Sequence, residues 1–179
     1  MTSEFVHLHN HSDYSLLDGA QKIDQLVNTI DDLNMDAVAL TEHGNMFSVL
    51  PYYKQAKKAG IKPIIGCEIY VAVGSRFEKK TRSDGGWGNN HLILLAQNFV
   101  GYKNLMKLVT AGYLEGFYYR PRIDMDLLRE YSEGLICMSA CLKGVVPEKM
   151  LKGDYEGARK EALLFSEIFQ DRYYLEIQN

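Results

Sequence analysis

"FVHLHNHSDYSLLDGA", residues 5–20, places three of the chain's five histidines at alternate positions ahead of an Asp-Gly pair. The interleaved apolar residues predict a strand, and a strand sends alternate side chains to one face. His7, His9 and His11 are therefore expected to point the same way. Neighbouring imidazoles repel one another when protonated and add little packing when neutral, so the pattern predicts a metal site.

Composition limits the class of protein. The 179 residues are most simply one domain, residues 1–179, with room for a sizeable core. A formal net charge of −3 argues against electrostatic binding of nucleic acid by the domain as a whole, although a local basic patch remains compatible with it. No apolar run approaches a membrane span, and no signal pattern opens the chain. We expect a cytoplasmic protein whose three cysteines are reduced.

Predicted strands and helices alternate, which indicates a mostly parallel sheet with helical crossovers. The predicted strands are residues 6–11, 36–43, 62–73, 91–98, 133–140 and 173–178, and the predicted helices are residues 23–34, 49–60, 99–116, 125–131 and 146–169, the last with a glycine break. Residues 75–90 are basic and then glycine-rich, and they predict a long exposed loop.

Candidate metal ligands fall at or near the ends of the predicted strands, where parallel α/β proteins place their active sites. They are His9, His11, Asp18, His43, Glu68, His91 and Cys141, with His7 as a possible extra ligand. His91 opens a strand and so fits this geometry less well. Imidazole, carboxylate and thiolate suit zinc and similar metals. The set is too large for one ion, so we expect two or three, which predicts metal-assisted hydrolysis of a phosphate ester.

Each candidate also has a structural interpretation. His9, His11 and His91 are compatible with hydrogen-bonded strand histidines, and His43 with a simple strand end. Asp18 precedes Gly19, as a turn residue would. Three further residues are not counted among the candidate ligands. Glu42 either orients a histidine or merely ends a strand, while Cys67 and Cys137 are expected to be core thiols.

Several motifs together make the family recognisable. HLHNHSDYSLLDGA, TEHGNMFS, GIKPIIGCEIYV, HLILLAQN, FYYRPRID and the CLKG after LICMSA resemble the N-terminal PHP (polymerase and histidinol phosphatase) domain of bacterial replicative DNA polymerase III alpha subunits. The resemblance covers essentially the whole chain.

The resemblance implies a distorted (βα)7 TIM-like barrel with nine ligands around a trinuclear metal site. Seven of these positions match the seven candidate ligands, and His7 occupies a position that is often Asp. The last two ligands, a D-x-H motif, would follow residue 179, so we expect a barrel truncated before its last βα unit. Glu42 departs from the family's more usual T-D-H, and we assign catalytic roles to Glu42 and His43.

The implied function is a metal-dependent phosphoesterase or 3′–5′ exonuclease within a DNA-directed DNA polymerase of the bacterial cytoplasm. Its cofactors would be two or three zinc, manganese or iron ions. Its partners would be a single-stranded DNA 3′ end, the polymerase domains of the same chain and other replisome subunits. Four loop cations are candidates for DNA contacts: Arg76, Lys79, Lys80 and Arg82. The alternatives are a metal-stabilised structural module without catalysis and a free-standing histidinol-phosphatase-like phosphoesterase.

Overall fold

The chain forms a mixed α/β structure, here described from a computed structural model. The structure describes residues 5–16, 18–80 and 88–178. Its helices are α1 (Ile23–Asp32), α2 (Val49–Lys58), α3 (Phe99–Leu114), α4 (Met125–Glu130), α5 (Val145–Leu151) and α6 (Tyr155–Phe169). Its strands are β1 (Ala37–Leu40), β2 (Lys62–Ala72), β3 (Asn89–Ala96), β4 (Arg122–Ile123), β5 (Leu135–Met138) and β6 (Tyr173–Tyr174).

The sheet has the strand order β1-β2-β3-β5-β6, with the short β4 also paired to β2. β1 and β4 run parallel to β2, and β6 runs parallel to β5. β3 is antiparallel to both of its neighbours, while the other five strands share one direction, so the sheet is mostly parallel as expected and β3 is the exception. In the described part of the β2–β3 connection there is no crossover helix, and strands joined without one pair antiparallel.

The predicted first strand, residues 6–11, is not a strand in the structure. The segment lies beside β1, but the carbonyls of His7 and Asn10 that accept from the β1 side are three residues apart rather than two. The side chains of Asn10 and Thr41 supply further bonds between the two segments. Strict alternation is therefore lost, and with it the shared face expected for the three histidines.

Both faces of β3 are buried, which explains its nearly continuous apolar sequence. Leu92 and Leu94 belong to a core with α3, α4 and α6, while Ile93 and Leu95 pack with Ala39 and residues of β5 on the other face. A third core joins α1, α2 and β1. Most predicted helices are confirmed within a few residues, including the break between α5 and α6, where Gly153 has a φ of +75°.

Among the described residues, no helix combines the length and apolar character that a membrane span requires. The predicted last strand is shorter than expected, because only Tyr173 and Tyr174 pair with β5. The following residues nevertheless stay close to the sheet. The backbone N–H of Glu176 donates to Ser139 Oγ at 2.9 Å, which holds the Glu176 backbone beside the end of β5.

Leu108 and Leu114 on α3 provide a matched test of this core. Leu108 is fully buried and Leu114 is 80% exposed. We expect Leu108→Ala to lower the free energy of unfolding by about 2–5 kcal/mol, because it removes buried methyl groups and leaves a cavity. Leu114→Ala should change it by less than about 0.5 kcal/mol. Urea unfolding measures both, and equal losses would contradict the placement of α3.

Candidate metal centre

The centre is organised around the buried carboxylate of Glu68 on β2, which is 1% exposed. Oε2 lies 2.8 Å from His9 Nε2 and 3.6 Å from His11 Nε2. Oε1 lies 2.7 Å from His43 Nδ1 and 2.6 Å from His91 Nδ1. One carboxylate therefore faces two pairs of imidazoles, one pair on each oxygen.

Three backbone segments around β2 bring the four imidazoles to Glu68. His9 and His11 come from the irregular segment beside β1, and their rings meet edge to face at 5.0 Å. His43 follows β1 and forms an isolated parallel bridge with Glu68. His91 lies near the start of β3, opposite Tyr70. Because β3 is antiparallel, its start lies at the edge where β1 ends, which is why a histidine that opens a strand reaches the cluster.

The donor atoms form two overlapping groups that could each hold a metal ion: His9, His11 and Glu68, and His43, Glu68 and His91. Within each group the nitrogen and oxygen atoms lie within 4.8 Å of one another. Two buried polar atoms nearby, His11 Nδ1 and Glu176 Oε2, have no hydrogen-bond partner among the described residues. Imidazole nitrogens and a shared carboxylate are donors that zinc and related ions prefer. The residues present therefore fit a metal site.

The charge on Glu68 dominates the electrostatics of the cluster. Burial alone would raise its pKa, but hydrogen bonds from His43, His9 and His91 hold that pKa well below its usual range. Burial lowers the pKa of His9, yet hydrogen bonds to Glu176 and Glu68 outweigh it and raise the pKa to about 9.

The other histidines divide according to their partners. The pKa of His91 rises to about 9 because contacts with Cys141 and Glu68 outweigh its burial, and that of His43 rises because of Glu68 and Asp18. The pKa of His11 falls, since burial and the neighbouring His43 both disfavour its charged form. The raised pKa values of His9, His43 and His91 thus favour the charged forms of these rings beside Glu68.

Asp18 and Cys141 lie at the rim of the cluster rather than in either ligand group. Asp18 Oδ2 is 2.9 Å from His43 Nε2, and its side chain is 61% exposed. Cys141 Sγ is 3.8 Å from His91 Nδ1. Burial would raise the pKa of this thiol, but the contact with His91 lowers it. Both side chains face an imidazole of the His43–His91 side.

His7, the possible extra ligand, lies apart from the other histidines. Its side chain is exposed, and its ring packs edge to face on Phe5 at 4.8 Å. The two other cysteines are free and fully buried, as expected for core thiols. Burial raises the pKa of both Cys67 and Cys137.

Glu42 is buried but does not orient an imidazole directly. Its carboxylate accepts hydrogen bonds from the Ser12 backbone and from the hydroxyls of Ser12 and Ser15. The Ser15 hydroxyl in turn accepts from the His43 backbone N–H at 3.0 Å. Glu42 therefore holds the loop that carries Asp18 against the end of β1, and it reaches His43 only through Ser15.

Glu176 belongs to the cluster although the sequence did not single it out. Its Oε1 lies 2.6 Å from His9 Nδ1, so His9 is held between two carboxylates. Gln178 Nε2 donates to the same oxygen at 2.7 Å. The available signal was an acidic residue inside an otherwise strand-like stretch, YYLEIQ, which is the signal that identified Glu68 in IIGCEIYV.

The loop cations expected to bind DNA have other surroundings. The Arg76 guanidinium pairs with Glu115 at 2.6 Å and with Asp124 at 3.0 Å, which is an internal structural role. Lys80 is 78% exposed and only 3.8 Å from Glu78, and Lys79 is exposed. Arg82 lies outside the described residues. The contacts of Arg76 do not support its predicted use as a DNA contact.

The role found for Glu42 can be tested against an exposed glutamate on α6. Glu42→Ala leaves the buried hydroxyls of Ser12 and Ser15 without their acceptor, and each such loss costs about 1–3 kcal/mol of unfolding free energy. Glu167→Ala, at an exposed position, should change it by less than about 0.5 kcal/mol. Urea unfolding gives both values. Equal stability of the two variants would show that Glu42 does not hold the loop.

Comparison with known proteins identifies the family. The model of the PHP domain matches residues 7–179. DNA polymerase III subunit alpha of Borreliella burgdorferi is 56% identical over 176 residues, which cover 98% of this chain and 15% of that protein. The same subunit of Aquifex aeolicus is 48% identical over 182 residues, covering 99% and 16%, respectively. The chain therefore spans only about 15% of the length of such relatives.

Solved structures show weaker similarity. A two-domain protein of Bacteroides vulgatus, described as containing a predicted PHP-like metal-dependent phosphoesterase, is 19% identical with a TM-score of 0.42, over 74% of this chain and 33% of that one. An amidohydrolase of Chromobacterium violaceum is 20% identical with a TM-score of 0.42, over 59% and 32%. The family match over residues 7–179 confirms the predicted resemblance, and the chain belongs to the PHP domain family, with close similarity to the N-terminal region of bacterial DNA polymerase III alpha subunits.

Proposed function

We propose that this chain binds two divalent metal ions and hydrolyses a phosphodiester. One observation carries the proposal: the Glu68 carboxylate directs one oxygen to each of the two ligand groups, as a carboxylate shared by two ions would. Bound divalent ions supply Lewis-acid activation of water and of phosphoryl oxygens. Zinc, manganese and iron all suit the donor set, and a third ion at the rim would take Asp18 or Cys141 as ligands.

The chain's own residues have distinct tasks in this proposal. His9, His11, His43, His91 and Glu68 hold the ions. Glu176 orients His9 by accepting from its second ring nitrogen, which is how carboxylates commonly fix a ligand histidine.

His43 bears most directly on the reaction, because its Nε2 faces the open rim beside Asp18. Glu42 acts as a positioning residue, since it holds Ser15 and Ser15 holds the His43 backbone.

The setting of the reaction follows from the relatives. They are named as alpha subunits of DNA polymerase III in bacteria, so we place the activity in the bacterial cytoplasm as part of a longer replicative polymerase. The substrate would be the 3′ end of a DNA single strand, cleaved as a 3′–5′ exonuclease cleaves it. The partners would be polymerase domains of the same chain and other replisome subunits.

A metal-stabilised structural module is the second candidate, and one observation favours it. The cluster joins parts of the chain that are far apart in sequence: His9 and Glu176 are separated by 167 positions. An ion bound there would stabilise the folded state, because it binds the assembled site and not the unfolded chain.

The ligand assignment can be tested by measuring the metal content of histidine variants. We expect the chain, purified without chelator, to contain about two equivalents of zinc, manganese or iron by elemental analysis. His9→Ala should lose at least one, because His9 is a donor in one ligand group. His7→Ala removes an exposed histidine two positions away and should keep both ions. Equal metal content in the two variants would contradict the ligand assignment.

Glu68→Gln separates catalysis from stabilisation. Removing the charge that both ligand groups share should reduce hydrolysis of a 3′-labelled oligodeoxynucleotide to the rate of metal-free buffer. His7→Ala, as the control, should hydrolyse at the wild-type rate. If added metal raises the melting temperature of the wild type but not of Glu68→Gln, and neither hydrolyses the oligonucleotide, the structural module is correct and the proposed enzyme is wrong.

A further inference from the structure

A cleft of about 920 Å³ opens beside His43 and His91. Its wall combines aromatic rings, among them Phe47, Tyr70 and Tyr113, with the cations Arg120 and Lys143. Flat rings and cations that line one cleft are the groups that hold bases and phosphates of single-stranded nucleic acids. The cleft therefore carries aromatic and cationic side chains that coordination of a metal does not require.

The rings form an exposed row, which we define as Phe47, Tyr113 and Phe117. Phe47 is 66% exposed, Tyr113 39% and Phe117 48%. The centroids of Phe47 and Tyr113 are 6.3 Å apart, and those of Tyr113 and Phe117 are 6.2 Å apart with planes 27° from parallel. Contiguous exposed apolar rings are a common feature of ligand-binding grooves. Phe47 and Tyr113 line the cleft, and Phe117, just beyond the end of α3, extends the row outside it.

The two cations of the cleft, Arg120 and Lys143, differ from the neighbouring Arg122 in exposure and in their contacts. Arg120 and Lys143 are exposed, and no carboxylate of the described residues lies within ion-pair distance of either. Arg122, by contrast, is 1% exposed and donates to the carbonyls of Gly116, Arg76 and Glu78. Charge that is not neutralised within the protein is available to a phosphate.

Arg120 is held close to the cluster by a short series of contacts. Its guanidinium carbon lies 5.7 Å from the centre of the Tyr70 ring, and that ring meets His91 edge to face at 5.1 Å. Gly44, directly after His43, makes this packing possible: it has a φ of +64°, and a Cβ there would come within 2.9 Å of the Tyr70 ring and 2.8 Å of Pro121.

We propose that this cleft binds a single-stranded nucleic acid, with Arg120 holding a phosphate and the aromatic row stacking against bases. The inference rests on the proposed phosphodiester hydrolysis, for which it names the substrate-holding residues. Asp13 and Asp18 line the same cleft, and their charge favours a phosphate position on the Arg120 wall. Lys143 provides a second, flexible cation for the strand.

Binding can be measured without hydrolysis, by fluorescence anisotropy of a 5′-fluorescein dodecathymidylate in EDTA over a range of salt concentrations. Arg120→Ala should weaken binding about tenfold and reduce the slope of log K against log salt by about 0.7, the value for one phosphate contact on a single strand. Arg159→Ala removes an exposed arginine on α6 and should leave both quantities unchanged. A role in folding alone would not change the salt slope.

The aromatic row has its own control. Phe47→Ala should weaken binding at least about fivefold, the lower end of the loss for one stacked base, with the salt slope unchanged. Tyr155→Ala, which removes a 67% exposed ring on α6, should have no effect. Circular dichroism melting should show that all four variants stay folded.

Three results would overturn the inference. The first is no binding by the wild type, and the second is binding by Arg120→Ala and Phe47→Ala equal to that of their controls. The third is displacement of the oligonucleotide by inorganic phosphate at equal concentration, which would identify a site for phosphate alone. Because EDTA removes metal, failure of the proposed hydrolysis would not change these results, and failure of binding would not by itself remove the metal site.

Discussion

The candidate metal centre depends on the buried negative charge of Glu68. A carboxylate that is 1% exposed is unfavourable in a protein interior unless positive groups or metal ions compensate for it. Glu68 meets this condition through imidazoles from both sides, and its own low pKa and the raised pKa of His9 and His91 express the same mutual attraction. The same imidazoles are the donors that would hold divalent ions, which would compensate the charge of Glu68 in turn.

This arrangement explains why polar residues that are far apart in sequence tolerate burial together. The four imidazoles that contact the Glu68 carboxylate lie at the edge where β1 ends and β3 begins, and hydrogen bonds outside the cluster fix that edge. Glu42 holds the loop of Ser12 and Ser15, and Ser15 holds the backbone of His43. The site is therefore supported by its surroundings, which a catalytic centre needs if its donor atoms are to stay within a few ångströms of one another.

Much of the fold and of the candidate site could be predicted from the sequence, since residue type and position decide burial. Glu68 was recognisable because a carboxylate inside an apolar strand needs a partner, and the helices followed from their apolar periodicity. The direction of β3 could not be predicted, because an apolar strand that is buried on both faces can run in either direction. His7 was misplaced because side chains of Asn10 and Thr41 replaced the regular strand bonding on which alternation depends.

The contact between His9 and Glu176 has a consequence for how the chain folds. It closes a loop of almost the whole described sequence, and the entropic cost of loop closure grows with loop length. The contact becomes favourable only after β2, β3 and β5 have brought the two segments together. His9 therefore has its second carboxylate only while the sheet is assembled, so the surroundings of this one ring depend on both ends of the described chain.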